Sequence, residues 1–255
     1  GGRRLIQAAE RGRPAAARDR YRLRSHADEA CALSTVLGVI GDIHARWDLL
    51  EVVLDALAKG PDLDGVLLVG DFACAGRGPD QQAGRRVEYL LSVDRALKMV
   101  GGLGVDVLYV PGNHDHPDLT FSGNVDRRAV QLGDLMINGI GGAGPDRMGF
   151  CYEWDEDEIR SRERPSVDVL LSHCPPMGTQ FDRLPSGQHV GSMAVLERVQ
   201  GHHGVAAFGH IHEAHGVGVI GSCLCINPGG LGPPMAHPRA GWIFGTEAVM
   251  LKDLR

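Results

Sequence analysis

From residue 35 onward, short unbroken apolar runs alternate with stretches of helical periodicity. "TVLGVIGD" (35–42), "GVLLVGD" (65–71) and "VDVLYVPGNHD" (105–115) each read as a buried strand that stops at a polar residue. Between the first two, "DLLEVVLDALAKGP" places Leu49, Leu50, Val53, Leu54 and Leu57 on one helical face and ends at Gly60-Pro61. Residues 80–100 predict a second helix, with Val87, Leu90, Leu91 and Leu97 inward and Gly101-Gly102 as its stop. "LMINGIGG" and "VDVLLSHCPP" continue as strands, "GSMAVLERVQ" as a helix and "GVAAFGHIH" as a strand. "HGVGVIG", "SCLCINPGG", "GWIFGT" and "EAVMLKD" then follow as short strands with turns and no helix between them. A chain that opens βαβ and closes as a meander predicts an α/β fold: a two-sheet β-sandwich of mixed strands, flanked by helices on the outer faces.

Composition changes this picture little. An apolar fraction of 43% over 255 residues allows a sizeable core. No apolar run reaches the ~18 residues of a membrane span and no secretory core is visible, so no membrane is expected. Charge is uneven. Residues 1–25 carry eight Arg against Glu10 and Asp19, so the rest of the chain must hold −12 to give the net −6. Residues 1–34 are therefore set apart as a basic N-terminal arm, partly helical or flexible, from a domain over 35–255. The arm is either a partner-binding or targeting segment or a solvated helix. Arg outnumbers Lys 23 to 3 throughout, which favours the second reading. The first residue is Gly, not Met, so the natural N-terminus is expected to be cut or replaced. Six Cys without a C-x-x-C spacing read as buried thiols in a reducing, cytoplasmic compartment.

Polar signatures sit where the strands end. Asp42 and His44, and His210 and His212, each have i, i+2 spacing, which at a strand end puts both side chains on one face and lets each pair chelate from one backbone segment. Asp71 and Asn113 each follow a Gly, where a turning strand brings backbone close to a site; His173 ends "VDVLLS". Asp42, His44, Asp71, Asn113, His173, His210 and His212 are seven N or O donors without a thiolate. That is too many for one zinc tetrahedron and enough for two metals if one carboxylate bridges. The mixed donors suit two divalent transition-metal ions, Mn first, with Fe, Zn, Co and Ni as alternatives, over Mg or Ca.

The blocks "GDIH", "GDF", "GNHD", "SHCPP" and "GHIH", in this order and each after a strand, resemble the signature of the calcineurin-like metallophosphoesterases, from about Val36 to about Arg239; "NPGGLGPP" resembles a turn of their small bacterial and archaeal phosphodiesterases. The resemblance implies the metallophosphatase-like four-layer α/β/β/α fold. It implies a first metal on Asp42, His44, Asp71 and His212, a second on Asp71, Asn113, His173 and His210, and Asp71 as the bridge. Attack by a metal-bridging hydroxide follows, with His114 facing the substrate as catalytic group and Asp115 fixing its tautomer. The arm lies outside the resemblance, and there is no room for a cap domain.

Other signals are weaker. His189 and Ser192 precede the helix in "HVGSMAVLERV", and a helix N-terminus attracts phosphate, so they are candidates for substrate binding; Ser192 as a simple N-cap is the competing reading. His116 reads as a surface residue, Cys174 as packing, and Cys74 is unassigned. "GIGGAG" (139–144) matches G-x-G-x-x-G, but no helix opens there, so it reads as a close-packed strand and turn. The expected function is hydrolysis of a phosphodiester or phosphomonoester of a small molecule, with a nucleotide among the candidates. The alternatives are a nuclease and a non-catalytic scaffold. The acidic body and 5% aromatic content disfavour a nucleic-acid polymer. No oligomeric state is legible.

Overall fold

The computed structural model describes residues 5–8, 34–74, 77–145 and 147–255. Two six-stranded sheets face each other. The strands of the first are β1 (Leu5–Ala8), β2 (Val36–Ile40), β3 (Gly65–Leu68), β4 (Asp106–Tyr109), β11 (Arg239–Phe244) and β12 (Ala248–Asp253), in the order β1-β12-β11-β2-β3-β4. The parallel β2-β3-β4 half is the βαβ opening of the chain, and the antiparallel β12-β11-β2 part is its closing meander. The second sheet takes β5 (Ala129–Leu132), β6 (Leu135–Ile140), β7 (Val169–Ser172), β8 (Val205–Phe208), β9 (Gly216–Ile220) and β10 (Cys223–Asn227), in the order β5-β6-β7-β8-β10-β9.

Alternation along the strands builds three apolar layers. Leu37, Val39, Leu67, Val69 and Ile243 of the first sheet meet Ile137, Val169, Leu171, Val205 and Ile226 of the second in the central layer. Ile40, Val66, Leu68 and Trp242 point outward under α1 (Trp47–Ala58) and α3 (Arg86–Gly101). Ile140, Leu170, Ala206 and Phe208 pack under α4 (Glu156–Ser161) and α5 (Met193–Gln200). The architecture is the expected α/β/β/α sandwich of mixed strands.

Details differ from the sequence reading. The helix expected over 80–100 is two helices, α2 (Pro79–Gly84) and α3, broken at Arg85. Its buried stripe is Tyr89, Val93, Ala96 and Val100; Val87 and Leu91, expected inward, are 72% and 64% exposed. His116, expected at the surface, is buried against the Tyr89 ring. Of the basic arm, Leu5–Ala8 form a strand parallel to β12; the rest of residues 1–33, and with it the expectation of a partly helical or flexible arm, lies outside the described residues. "GIGGAG" is the end of β6 and a tight turn: a Cβ on Gly139 would lie 2.4 Å from a Val110 methyl. No helix among the described residues is long and apolar enough to cross a membrane.

Candidate metal centre

The seven expected donors converge where strands of both sheets end. Asp42 and His44 follow β2, Asp71 follows β3 and Asn113 follows β4, while His173 follows β7 and His210 and His212 follow β8. Backbone conformation brings them together. His44, Asp71 and His210 all have positive φ (46°, 51° and 66°), a left-handed geometry that non-glycine residues hold only when their surroundings fix it. Ile43 and His44 donate their N–H groups to the Asp71 carbonyl at 3.0 and 2.8 Å, which ties the first two strand ends to one another. The glycines before Asp71 and Asn113 let the loops touch: a Cβ on Gly112 would lie 2.1 Å from Asp71 Oδ1, and one on Gly70 would lie 2.4 Å from the Gly112 nitrogen.

Two groups of side chains form. In one, His44 Nε2 lies 3.2 Å from His212 Nε2 and 3.5 Å from Asp71 Oδ2, and His212 Nε2 lies 3.1 Å from Asp42 Oδ2. In the other, Asn113 Oδ1 lies 3.0 Å from both His173 Nε2 and His210 Nδ1, with His173 Nε2 3.6 Å from Asp71 Oδ2. Donor atoms of Asp42, His44 and His212 lie within 4.8 Å of one another, as do those of Asp42, Asp71 and His173. Asp42 and Asp71 thus both stand between the groups. His210 and His212 do not act as one chelating pair. The left-handed turn at His210 and the short 3₁₀ turn His212–Ala214 send the two imidazoles to different groups.

The donor set suits divalent cations. Asp42 Oδ1 is buried without a hydrogen-bond partner, as is His212 Nδ1. An isolated buried carboxylate oxygen is costly unless a cation or donor meets it. His173 Nδ1 lies 2.7 Å from the Val69 carbonyl, a bond that requires the proton on Nδ1 and leaves Nε2 as a bare donor. Protonation states agree for the two carboxylates and for two of the imidazoles. Burial pushes Asp71 up, but His173, His114 and His44 outweigh it and hold the carboxyl well below its ordinary range. Burial pushes Asp42 up as well, and His173 and His212 bring it below the ordinary value. Burial, reinforced by His173, takes His210 down to about 3, and burial lowers His44 too. His173 and His212 run the other way: burial lowers both, but Asp71 and Asp42 outweigh it for His173, and Asp42 for His212, so each is raised and gives up its proton more reluctantly to a metal.

A cleft of about 590 Å³ opens over this cluster. His114 lines it, its backbone N–H donating to Asp71 Oδ1 at 2.9 Å and its ring Nδ1 buried without a partner. Asp115 does not support it as expected. Its carboxylate faces away and accepts from the N–H groups of Gly112 (2.7 Å) and Phe72 (3.2 Å) and from the Tyr89 hydroxyl. Burial and the nearby Asp71 push that carboxyl up to about 7. His189 and Ser192, the expected substrate-binding candidates, are not brought into this cleft. His189 lies outside this cleft, paired with buried Asp182 at 2.7 Å. Ser192 is the N-cap of α5, accepting from Val195 N at 3.2 Å. The helix N-terminus offered to phosphate is already filled, because Glu156 accepts from Met193 N, Ala194 N and the Ser192 hydroxyl.

Sequence reasoning missed the cleft walls. Phe150 packs on His114 with ring centroids 4.2 Å apart, and the Arg77 guanidinium lies 4.5 Å over the Phe150 ring. Met148, Leu184, Val190, Ile211, Pro233 and Pro234 make most of the rest apolar. No motif flags these residues; only the repeated Gly-Pro turns near 144 and 232 hinted at chain folded close to the site.

The class so defined is a four-layer α/β/β/α protein that gathers nitrogen and oxygen donors for divalent metal at its sheet ends. The family model of the calcineurin-like phosphoesterases matches residues 35–214, and the chain belongs to that family. It is 28% identical over 162 residues to an uncharacterized protein of Methanocaldococcus jannaschii, covering 58% of this chain and 71% of that one. The fold is shared with a solved protein of Thermus thermophilus (TM-score 0.59, 14% identity, 87% of this chain and 100% of that one). It is shared also with a dimetal phosphatase from Danio rerio (TM-score 0.54, 13% identity, 87% and 99%).

Proposed function

We propose that this chain is a two-metal phosphodiesterase acting on a small organic phosphodiester. The observation that carries the reading is the convergence of Asp42, His44, Asp71, Asn113, His173, His210 and His212 beneath a cleft that His114 lines. Asp42, His44, Asp71 and His212 would hold one ion, and Asp71, Asn113, His173 and His210 the other. Ions held there would supply charge to the phosphoryl oxygens and lower the pKa of a bound water. Manganese is the first choice for this donor set, with Fe, Zn, Co or Ni as substitutes. His114 has Nδ1 buried, so Nε2 meets the cleft and donates a proton to the departing ester oxygen.

The cleft walls favour a diester. Among the described residues that line it, Arg77 is the only Lys or Arg, and apolar side chains dominate. A diester brings one negative charge and a second organic group to bury. A monoester dianion or a nucleic-acid strand asks for more cations than this. The described cysteines, Cys74, Cys151, Cys174, Cys223 and Cys225, are all free thiols, which supports a reducing, cytoplasmic setting.

The test is a panel of aryl and alkyl diesters, cyclic nucleotides and monoesters with Mn²⁺, alongside elemental analysis. Close to two ions per chain and higher kcat/KM for diesters are expected. An active protein with one ion, or a protein holding two ions that turns over no ester, overturns the reading.

A further inference from the structure

His114 has lost the partner that sequence assigns to it. Its Nδ1 is buried with nothing to bond, and Asp115 points the other way. A ring without a side-chain hydrogen bond rotates about χ2 unless packing fixes it. Two rings touch it. His44 meets it edge-on, with centroids 5.1 Å apart at 89°, and Phe150 lies at 4.2 Å and 44°. His44 belongs to the proposed metal centre, so the free choice in setting the angle of His114 falls to Phe150.

Phe150 is itself held from several sides. The Arg77 guanidinium sits over its ring at 4.5 Å. Gly78 N–H donates to the Gly149 carbonyl at 2.9 Å, joining the segment that carries Arg77 to the one that carries Phe150. Glu153 accepts from Met148 N (2.7 Å) and Gly149 N (3.0 Å), which closes the loop on itself. Tyr152 N–H donates to the Asn113 carbonyl at 3.1 Å, so the loop is registered on the residue before His114.

We propose that Phe150, clamped by Arg77, is the positioning residue for His114: a packed aromatic ring orients the proton donor where a carboxylate was expected to. The proposal rests on the reading of His114 as the group at the leaving oxygen. Catalytic geometry is sensitive to displacements of about 1 Å, which can cost about a hundredfold in rate. Phe150→Leu keeps apolar bulk but removes the flat face. It is expected to lower kcat on an alkyl diester by about tenfold to a hundredfold, with KM and the two-ion content little changed. A p-nitrophenyl diester, whose leaving group scarcely needs the proton, should lose much less. Phe150→Tyr should restore the rate, and Arg77→Met should give an intermediate kcat together with a raised KM, because Arg77 also faces the anionic substrate. In a double-mutant cycle, Phe150→Leu should add no further loss on top of His114→Ala, because the first acts only through the second.

A second readout does not depend on turnover. In the zinc-loaded protein, the imidazole C–H resonances of His114, identified by their loss in His114→Ala, should carry a ring-current shift that disappears in Phe150→Leu. Equal losses on both esters, multiplicative losses in the double mutant, or a wild-type rate in Phe150→Leu would each overturn the proposal. An unchanged His114 resonance would do the same. If the wild type turned over no ester, the phosphodiesterase reading would fall, and the resonance would still decide whether Phe150 positions His114.

Discussion

Asp115 follows His114 directly in sequence, yet its three hydrogen bonds are spent on the frame. By accepting from Phe72 N and Gly112 N, it locks together the loops that follow β3 and β4, which carry Asp71 and Asn113. The Tyr89 hydroxyl, reaching in from α3, completes the set. With its carboxyl pushed up to about 7, Asp115 is partly neutral, and a hydrogen bond to it contributes about 0.5–1.5 kcal/mol. Tyr89→Phe should therefore lower unfolding free energy in urea by about that amount while leaving metal stoichiometry and kcat near wild type. If kcat fell with stability intact, Asp115 would be acting on the chemistry through His114 after all. The two buried carboxylates that stand between the donor groups separate in a different experiment. With Asp71 as the bridge, Asp71→Asn should weaken both ions and Asp42→Asn mainly one, read by metal titration. Because Asp42 lies within reach of both donor groups, the opposite pattern would move the bridge to Asp42.

Helices show what sequence could and could not reveal. α1 was legible: Leu50, Val53 and Leu57 are buried on the expected face, and Gly60-Pro61 follows its end. The strands were legible because buried strands read as unbroken apolar runs. So were their ends, where Asp and His interrupt such runs, and the close approach of Gly70 and Gly112. α3 was read in part: Leu90 and Leu97 pack against the core as expected, while Val87 and Leu91 are exposed and the buried positions are Tyr89, Val93, Ala96 and Val100. Tertiary context chose the face with Tyr89, whose hydroxyl finds Asp115, and with the small Ala96. Local pattern cannot encode that choice. It can be tested: Val93→Ala should cost about 1.5–3 kcal/mol, while Val87→Ala should stay within about 0.5 kcal/mol, both read from urea midpoints. Equal costs would mean that the helix presents the other face. Ser192 as an N-cap was one of the two readings the sequence allowed, but the part of Glu156 was illegible for a related reason. Glu156 lies 36 residues upstream of Ser192 on α4, so only the folded chain reveals that the α5 N-terminus is already capped.

At the scale of the molecule, the proposed metal centre joins the two sheets. Asp42, His44, Asp71 and Asn113 come from the first, and His173, His210 and His212 from the second. Beneath them the sheets are held by the apolar layer from Leu37 to Ile226, which needs no metal. The sandwich should therefore fold without ions, while its site end gathers two buried carboxylates and several imidazoles with no cation between them. Ions that bind only the folded state stabilise it by mass action, about 2.7 kcal/mol for a site at a hundred times its Kd. Removing them with a chelator should lower Tm by several degrees and leave a cooperative transition with unchanged far-ultraviolet circular dichroism. Adding Mn²⁺ should restore Tm along a concentration-dependent curve. The same treatment of Asp71→Asn separates two sources of stability. His173, His114 and His44 hold Asp71 ionised in the metal-free site, so neutralising it removes a favourable interaction, and the metal-free variant should melt below the metal-free wild type. It should then gain less than the wild type on adding Mn²⁺. If the metal-free wild type instead melted without cooperativity, the ions would be holding the sheets together, and the apolar layer would carry less of the fold than its burial implies.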